Sequence, residues 1–161
     1  KAAASVDLLI SVESDRIYRD LVCASLSDKR FTAEVCVLHG RIGPTGPWGA
    51  PIFRAGRFAV SGRDYVMAPW RELDMRNKKA DFALIDGRYR VASVLAGLSH
   101  PLGCEALYLI DDFSERAYYD RVLEFVDVVE RAGRSILVRR KSNVSMGACK
   151  KALKRNLYDW R

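Results

Sequence analysis

The distribution of apolar residues predicts a series of short buried strands. Four runs are predominantly apolar rather than alternating: residues 6–12, 35–38, 81–86 and 106–110. Such runs are typical of parallel strands whose two faces are both covered by helices. Two more runs, residues 126–130 and 135–138, flank a turn that contains Gly133. Strands joined this tightly must be antiparallel, so these two predict a terminal hairpin.

Apolar residues at helical spacing separate these strands. They follow Asp15, span residues 91–98, and return over residues 118–125. Ser14 or Asp15 is expected to cap the first of these helices, and Ser114 the third. With a last helix at the end of the chain, the order is β-α-β-loop-β-α-β-α-β-β-α. It predicts an α/β fold built on a doubly wound, mostly parallel sheet with a C-terminal antiparallel hairpin.

The segment Gly40–Pro69 interrupts this alternation. Glycines and prolines recur through it, at positions 40, 43, 44, 46, 47, 49, 51, 56, 62 and 69. Such frequent glycine and proline argue against a long helix and predict an elaborated loop. Loops of this length inside compact domains are usually functional or contact a partner. We expect Trp70 to pin the loop to its own core, whereas for Trp48 that role and a partner-facing role both remain open.

Length and charge narrow the class of protein. At 161 residues the chain predicts one domain, residues 1–161, with a core over 6–140 and a basic tail over 141–161. A helix is expected in this tail over about residues 146–158. The formal net charge of +7 is compatible with a nucleic-acid partner, but no nucleic-acid-binding motif accompanies it. Trp160 is the expected partner contact if the tail docks.

The cysteines and the first residue of the sequence indicate where in the cell the protein is expected to reside. The four cysteines show no CxxC spacing, and the two histidines lie far apart in sequence. A zinc site is therefore not expected, and free thiols indicate a reduced intracellular compartment, with a mitochondrion or plastid included. No apolar run is long enough to span a bilayer, and no secretory signal leads the chain. Because Lys1 rather than methionine stands first, we expect the sequence to begin after a processing site or inside a longer protein.

Acidic residues close three of the predicted strands, at Glu13, Asp86 and Asp111–Asp112. In open parallel sheets, ligands bind beyond the carboxyl ends of the strands. Glu13 could accept hydrogen bonds from a ribose, or favour the dipole of the next helix by a few tenths to ~1 kcal/mol. Asp86 and Asp112 could hold a divalent cation, or Asp86 could act as a base toward a substrate hydroxyl. The alternative is helix capping, which we prefer for the Asp111–Asp112 pair taken alone.

Four short segments then occur in an informative order: Ser11–Asp15 (SVESD), Gly43–Gly49 (GPTGPWG), Asp81–Arg90 (DFALIDGRYR) and Leu109–Phe113 (LIDDF). Together with the hairpin of residues 125–139, they resemble class I S-adenosylmethionine-dependent methyltransferase-like proteins, which have a Rossmann-like fold. The resemblance covers most of residues 6–140, and the second and third segments in that order are its most specific part.

The resemblance implies a sheet of strand order 3-2-1-4-5-7-6, with the seventh strand antiparallel. The strand that ends at Glu13 would be the second, and the one that ends at Asp86 the fourth. Glu13 would bind the ribose of S-adenosylmethionine, and the loop from Gly43 to Trp48 would shape the cleft. Asp86 would line the cleft between donor and acceptor, a position that binds a metal in some relatives.

Two features depart from the family's pattern. The family places a glycine-rich turn before the ribose-binding acid, but nothing upstream of Val6 supplies it, and Lys1–Ser5 resembles a helix end. The first, central strand of the sheet would then be missing from this chain. In addition, Arg41 stands where many relatives carry an acid after the third strand, and an arginine offers hydrogen-bond donors only.

Two functions therefore compete. The first is a non-catalytic, structural or accessory subunit of a larger, organellar assembly, which meets protein partners through Gly40–Pro69 or the basic tail. The alternative is an active methyltransferase that uses S-adenosylmethionine, with a divalent metal as an option and Asp86 as the catalytic base. A direct RNA-binding module ranks third, because it rests on charge alone. Fold by itself does not decide between these functions.

Overall fold

The strands form two sheets, which belong to two units of the chain. The computed structural model describes residues 6–27, 29–54, 56–114 and 116–161. By their contacts the residues divide into Lys1–Pro69 and Trp70–Arg161, and this boundary falls inside a helix. The predicted helix end at Lys1–Ser5 lies outside the described residues. No helix among the described residues is long and apolar enough to cross a membrane.

In the first unit, two parallel strands flank a helix, as the apolar pattern predicts. Strand β1 spans Leu8–Glu13, helix α1 spans Arg16–Ser27, and strand β2 spans Glu34–His39. The two strands pair in parallel from Leu8 opposite Glu34 to Glu13 opposite His39. Of the two candidate caps for α1, the structure uses Asp15, whose Oδ1 accepts a hydrogen bond from the backbone N–H of Tyr18 at 2.9 Å.

Much of the apolar side of α1 is exposed, although Val22 and Leu26 are half-buried. Ile17, Tyr18 and Leu21 are 75%, 56% and 61% exposed, respectively. None of the described residues of α1 is buried. Helical spacing identifies this side as the one that would face a core. The structure thus confirms the helix but not the burial of its apolar side.

The predicted loop Gly40–Pro69 ends earlier than expected. Helix α2 spans Arg63–Arg76 and carries Pro69 in its interior, so the expectation that residues 63–69 are loop is wrong. A proline there removes one backbone hydrogen bond, at a cost of about 3 kcal/mol. Burial of Val66, Trp70 and Leu73, which recur at helical spacing, offsets this cost. The rest of the segment is loop with short 3-10 turns at Pro47–Gly49 and Gly56–Phe58.

The second unit contains a four-stranded mixed sheet. Its strands are β3 (Phe82–Ile85), β4 (Leu107–Ile110), β5 (Val126–Ala132) and β6 (Ser135–Arg140), in the order β3-β4-β6-β5. The pair β3–β4 is parallel, whereas β4–β6 and β5–β6 are antiparallel. The terminal hairpin is therefore confirmed. The described strands, however, form two sheets with as many antiparallel as parallel pairs, rather than one mostly parallel sheet.

Three helices accompany this sheet. Helix α3 spans Arg90–Leu98 and α4 spans Met146–Asn156, and a 3-10 helix spans Ala117–Glu124. The expectation that Ser114 caps the last of these is wrong, because the helix begins only after Arg116. The cause lies in the hairpin turn, where the carbonyl of Arg134 accepts hydrogen bonds from the N–H groups of Phe113 and Ser114. These bonds hold the backbone of residues 113–114 outside the helix.

The core of the second unit lies around α3, whose residues are nearly all buried. Trp70 is 4% exposed and stacks on His100 with 5.7 Å between ring centroids, so it belongs to a core, as expected, although it lies in a helix rather than a loop. The hydroxyl of Tyr108 donates to the carbonyl of Gly103 at 2.7 Å. Burial raises the pKa of Tyr108, so the phenol remains a neutral donor.

We predict that Gly97→Ala destabilises the protein by about 1–3 kcal/mol, as overpacking does. A β-carbon on Gly97 would lie 2.6 Å from Cζ2 of Trp70 and closer still to the hydroxyl of Tyr108. Urea unfolding followed by circular dichroism measures the change. Gly147→Ala is the matched control, because the nearest atom there is Oγ of Ser145 at 3.7 Å. That variant should gain from a few tenths to about 1 kcal/mol of helix propensity; equal stabilities of the two variants would contradict the tight packing.

Candidate functional site

Glu13 stands at the carboxyl end of β1, where the sequence predicts a ligand-binding acid. Its side chain is neither fully buried nor fully exposed. Partial burial raises the pKa of Glu13 above its ordinary value of 4.5, and the neighbouring charge of Asp15 raises it further. A carboxylate in this state lacks part of its hydration and gains from hydroxyl donors, so Glu13 fits the role of a ribose-binding acid. That role stays a prediction.

The loop that contains Gly43 and Trp48 is fastened to the turn after Glu13. Asp15 Oδ2 accepts a hydrogen bond from Thr45 Oγ1 at 2.8 Å. Ser14, which is buried, donates from Oγ to the carbonyl of Gly49 at 3.3 Å. The backbone bond to Tyr18 and the hydroxyl of Thr45 hold the pKa of Asp15 below its usual range. The structure therefore brings the predicted cleft loop and the turn after β1 together.

The shape of this loop depends on left-handed backbone positions. Gly43, Trp48 and Gly49 have φ angles of 77°, 61° and 66°. At Gly43 a β-carbon would also lie 3.2 Å from Cγ2 of Val60, so glycine suits the position for a structural reason. Trp48 is a left-handed residue with a bulky side chain that is 89% exposed. It does not pin the loop to a core, which leaves the partner-facing role and the predicted cofactor role.

In the second unit, a buried arginine lies among the acids predicted at the carboxyl ends of β3 and β4. Arg90 is 6% exposed and lies at the start of α3. Its guanidinium donates to the carbonyls of Gly87 at 3.1 Å, Asp111 at 2.7 Å and Asp86 at 2.8 Å. It also donates to Asp86 Oδ1 at 3.1 Å. Arg90 thus joins the carboxyl ends of β3 and β4 and uses a carboxylate oxygen of the predicted catalytic residue.

The acids that follow β4 are engaged as well. Ser135 Oγ donates to Asp111 Oδ1 at 2.6 Å, and this bond is the main reason that the pKa of Asp111 lies below its usual range. Asp112 Oδ2 accepts a hydrogen bond from Arg116 at 2.9 Å. Its Oδ1 lies 2.8 Å from Nη2 of Arg134, an ion pair without hydrogen-bond geometry. These contacts connect the end of β4 to the terminal hairpin.

The metal prediction can be compared with these contacts. Asp86 and Asp112 were expected to hold a divalent cation, but arginines already occupy oxygens of both carboxylates. Within the described residues, no group of three His, Cys, Asp or Glu side chains is arranged to hold a metal ion. A divalent cation shared by the two carboxylates would have to compete with guanidinium groups that contact one oxygen of Asp86 and both oxygens of Asp112. Metal binding at this edge remains a prediction without structural support.

The tail packs on the same edge. The N–H groups of Tyr89 and Arg90 donate to the carbonyls of Trp160 at 3.0 Å and Arg161 at 3.2 Å, which satisfies two donors at the start of α3. Tyr89 is fully buried with a left-handed φ of 55°, and the guanidinium of Arg88 lies 5.9 Å from the ring of Trp160. Trp160 therefore contacts its own chain, and its expected contact with a partner stays a prediction.

Arg90 was not among the residues predicted from the sequence, although a signal was present. Arg90 is the last residue of the segment Asp81–Arg90. It is also the first residue of α3, whose other residues are almost all apolar. A cation at the start of such a helix needs acceptors when it is buried. A cavity of about 460 Å³, lined in part by Phe113, Arg116 and Arg131, was not predicted either, and none of the predicted site residues lines it.

A solved structure is similar to this protein over most of its length. It is the crystal structure of a methyltransferase-like protein from Silicibacter pomeroyi DSS-3, with 29% sequence identity and a TM-score of 0.73. The similarity covers 94% of this chain and 77% of that chain. No protein-family model and no curated protein matches the chain. The protein has a methyltransferase-like α/β fold, in agreement with the coarser part of the sequence resemblance.

We predict that Arg90→Ala destabilises the protein by about 3 kcal/mol or more, because several acceptors at the strand ends lose their donor together. Arg90→Lys should lose a large part of the same stability, since an ammonium group cannot reach three carbonyls at once. Arg155, which is exposed on α4, provides the control, and Arg155→Ala should stay within about 0.5 kcal/mol of the unaltered protein. Urea unfolding measures the free energy of unfolding of each variant. An Arg90→Lys variant as stable as the unaltered protein would show that the bonds from Arg90 to the three carbonyls are not needed.

A second prediction concerns the pH dependence of stability at Glu13. A carboxyl whose pKa is raised in the folded state contributes stability below its unfolded pKa and loses it as pH rises through the folded pKa. Glu13→Gln should therefore raise the melting temperature at neutral pH, and the gain should vanish as pH falls below the ordinary value of 4.5. Glu130→Gln, an exposed position on β5, should show no such trend. A Glu13→Gln variant that is less stable at neutral pH would show that the carboxylate is stabilised rather than desolvated.

Proposed function

We propose that this protein is a methyltransferase-like subunit of a larger assembly and does not itself catalyse methyl transfer. The observation that carries the proposal is the state of Asp86, the predicted catalytic residue. Its carboxylate is 62% exposed and paired with Arg90 at 3.1 Å. A base at this position would have to give up its ion pair and act in water. Its present contact instead helps to hold the strand ends in place.

The exposed apolar side of α1 supports the assembly part of the proposal. Ile17, Tyr18 and Leu21 lie at helical spacing and are each more than half exposed. Contiguous exposed apolar surface in a soluble protein commonly marks a contact with another protein. We propose that a protein subunit covers this side of α1. The Gly40–Pro69 segment and the basic tail remain further candidate contacts.

A second candidate function is methyl transfer from S-adenosylmethionine by a class I enzyme. The observation that favours it is the partly buried Glu13, whose raised pKa marks a carboxylate in need of donors at the position expected for ribose binding. In this function Glu13 would hold the ribose, and the loop from Gly43 to Trp48 would border the donor. Catalysis would consist mainly of positioning the acceptor in line with the methyl group.

We predict that methyl-labelled S-adenosylmethionine transfers no label to protein, RNA or small molecules of a cell extract when this protein is added. The heat-denatured protein sets the background. Asp86→Asn should remain in the same high-mass fraction of a density gradient as the unaltered protein, because the asparagine oxygen can still accept the hydrogen bond from Arg90. Leu21→Asp should move to the low-mass fractions, since a charge on the exposed side of α1 cannot be buried in an interface.

The two candidate functions give different patterns in this experiment. Label transfer that Asp86→Asn and Glu13→Gln both abolish would establish an active methyltransferase and refute the non-catalytic proposal. A Leu21→Asp variant that stays in the high-mass fraction would refute the proposed interface on α1. Circular dichroism of each variant shows whether it is folded, and substitution at the exposed Leu21 should leave the fold intact.

A further inference from the structure

The segment of residues 40–63 has an unusual charge. It contains four arginines, at positions 41, 54, 57 and 63, and neither aspartate nor glutamate. The side chain of Arg41 is 78% exposed, although it forms an ion pair with Asp64 just beyond the segment at 3.1 Å. Arg54 and Arg57 are exposed as well. The segment therefore presents positive charge on an irregular loop, and a partner with negative charge would complement it.

Aromatic side chains accompany these arginines at the surface. Trp48, Phe53 and Phe58 are 89%, 46% and 62% exposed, respectively. The rings of Phe53 and Phe58 lie 6.5 Å apart, and the guanidinium of Arg57 lies 4.8 Å from the centre of the Phe58 ring. Arg54 donates from Nε to the carbonyl of Pro51 at 2.7 Å, which holds its side chain against the loop. Arginine and aromatic residues thus lie close together at the surface of this segment.

We propose that the loop of residues 40–63 binds single-stranded nucleic acid. Exposed aromatic rings stack on unpaired bases, and arginines contact the phosphates and stack as planar groups. Both kinds of group are present here within one short segment. The proposal does not rest on the proposed function, because it requires neither a methyl donor nor a protein assembly.

The main alternative partner for this loop is an anionic membrane surface. Membrane-binding segments bury an apolar face in the lipid while their cations stay in the headgroup layer. Here Arg57 lies over the ring of Phe58 itself, so burial of that ring in hydrocarbon would carry a charge with it. The same contact is compatible with a base, which can extend a stack of ring and guanidinium. The geometry therefore favours nucleic acid over lipid.

Fluorescence anisotropy with a labelled uridine oligomer of roughly twelve nucleotides, within the usual footprint of such sites, tests the proposal. Phe58→Leu keeps an apolar side chain and removes the ring, and we expect it to weaken binding roughly tenfold through lost stacking. Arg54→Ala with Arg57→Ala should weaken binding further and flatten its salt dependence, because fewer counterions are released. Lys150→Ala with Lys151→Ala removes the same charge from the exposed side of α4 and should change affinity little.

Each other outcome would overturn the proposal. Equal losses from the loop pair and the lysine pair would show that binding follows net charge rather than this loop. Unchanged affinity in Phe58→Leu would exclude stacking on that ring. Binding to vesicles of phosphatidylcholine and phosphatidylserine, with no binding of the oligomer, would assign the loop to membranes. Circular dichroism of each variant confirms that the fold is retained, and absence of binding to both probes by the folded, unaltered protein would also refute the proposal.

Discussion

The second unit depends on one buried cation. The guanidinium of Arg90 needs several acceptors once it leaves water, and backbone carbonyls at the ends of β3 and β4 supply them. These hydrogen bonds hold the ends of the parallel strands β3 and β4 close to the start of α3. The left-handed Tyr89 and Asp112 lie at the same ends, and surrounding contacts hold both in place. The burial of this single charge thus accounts for the junction of β3, β4 and α3.

The two strand-end sites are stabilised by different chemistry. At the end of β1, hydroxyl groups of Ser14 and Thr45 fasten the loop and carry no charge. Burial and the neighbouring charge of Asp15 raise the pKa of Glu13, and no described cation offsets them. At the ends of β3 and β4, arginines neutralise Asp86 and Asp112. The first arrangement leaves an acid that gains from a ligand, whereas the second uses acids to join structural elements.

The sequence was sufficient to predict the strands, the hairpin and three of the four α-helices in the described part of the chain. It failed at α2 because Pro69 was interpreted as a helix breaker, although Val66, Trp70 and Leu73 carry the helical spacing. It predicted the apolar side of α1 but not its exposure, since a periodic pattern shows which side would be buried and not whether anything covers it. Acidic strand ends were identified from sequence, but their arginine partners were not. Arg90 and Arg116 each lie only four residues after their acid, whereas Arg134 reaches Asp112 from the hairpin turn, a contact that one sequence does not reveal.

A similar fold does not imply a similar activity here, and the side chains of Glu13 and Asp86 show why. The arrangement of strands in each unit is compatible with a methyltransferase-like protein at 29% identity, yet fold alone assigns no reaction. The first unit places the partly buried Glu13 at the end of β1 and fastens a loop to the turn that follows it. Proton transfer needs a carboxylate that can take a proton from an acceptor, and Asp86 is paired with Arg90 instead. A shared fold can therefore carry different contacts at its strand ends, and in this protein the residue expected to act as a base is held in an ion pair.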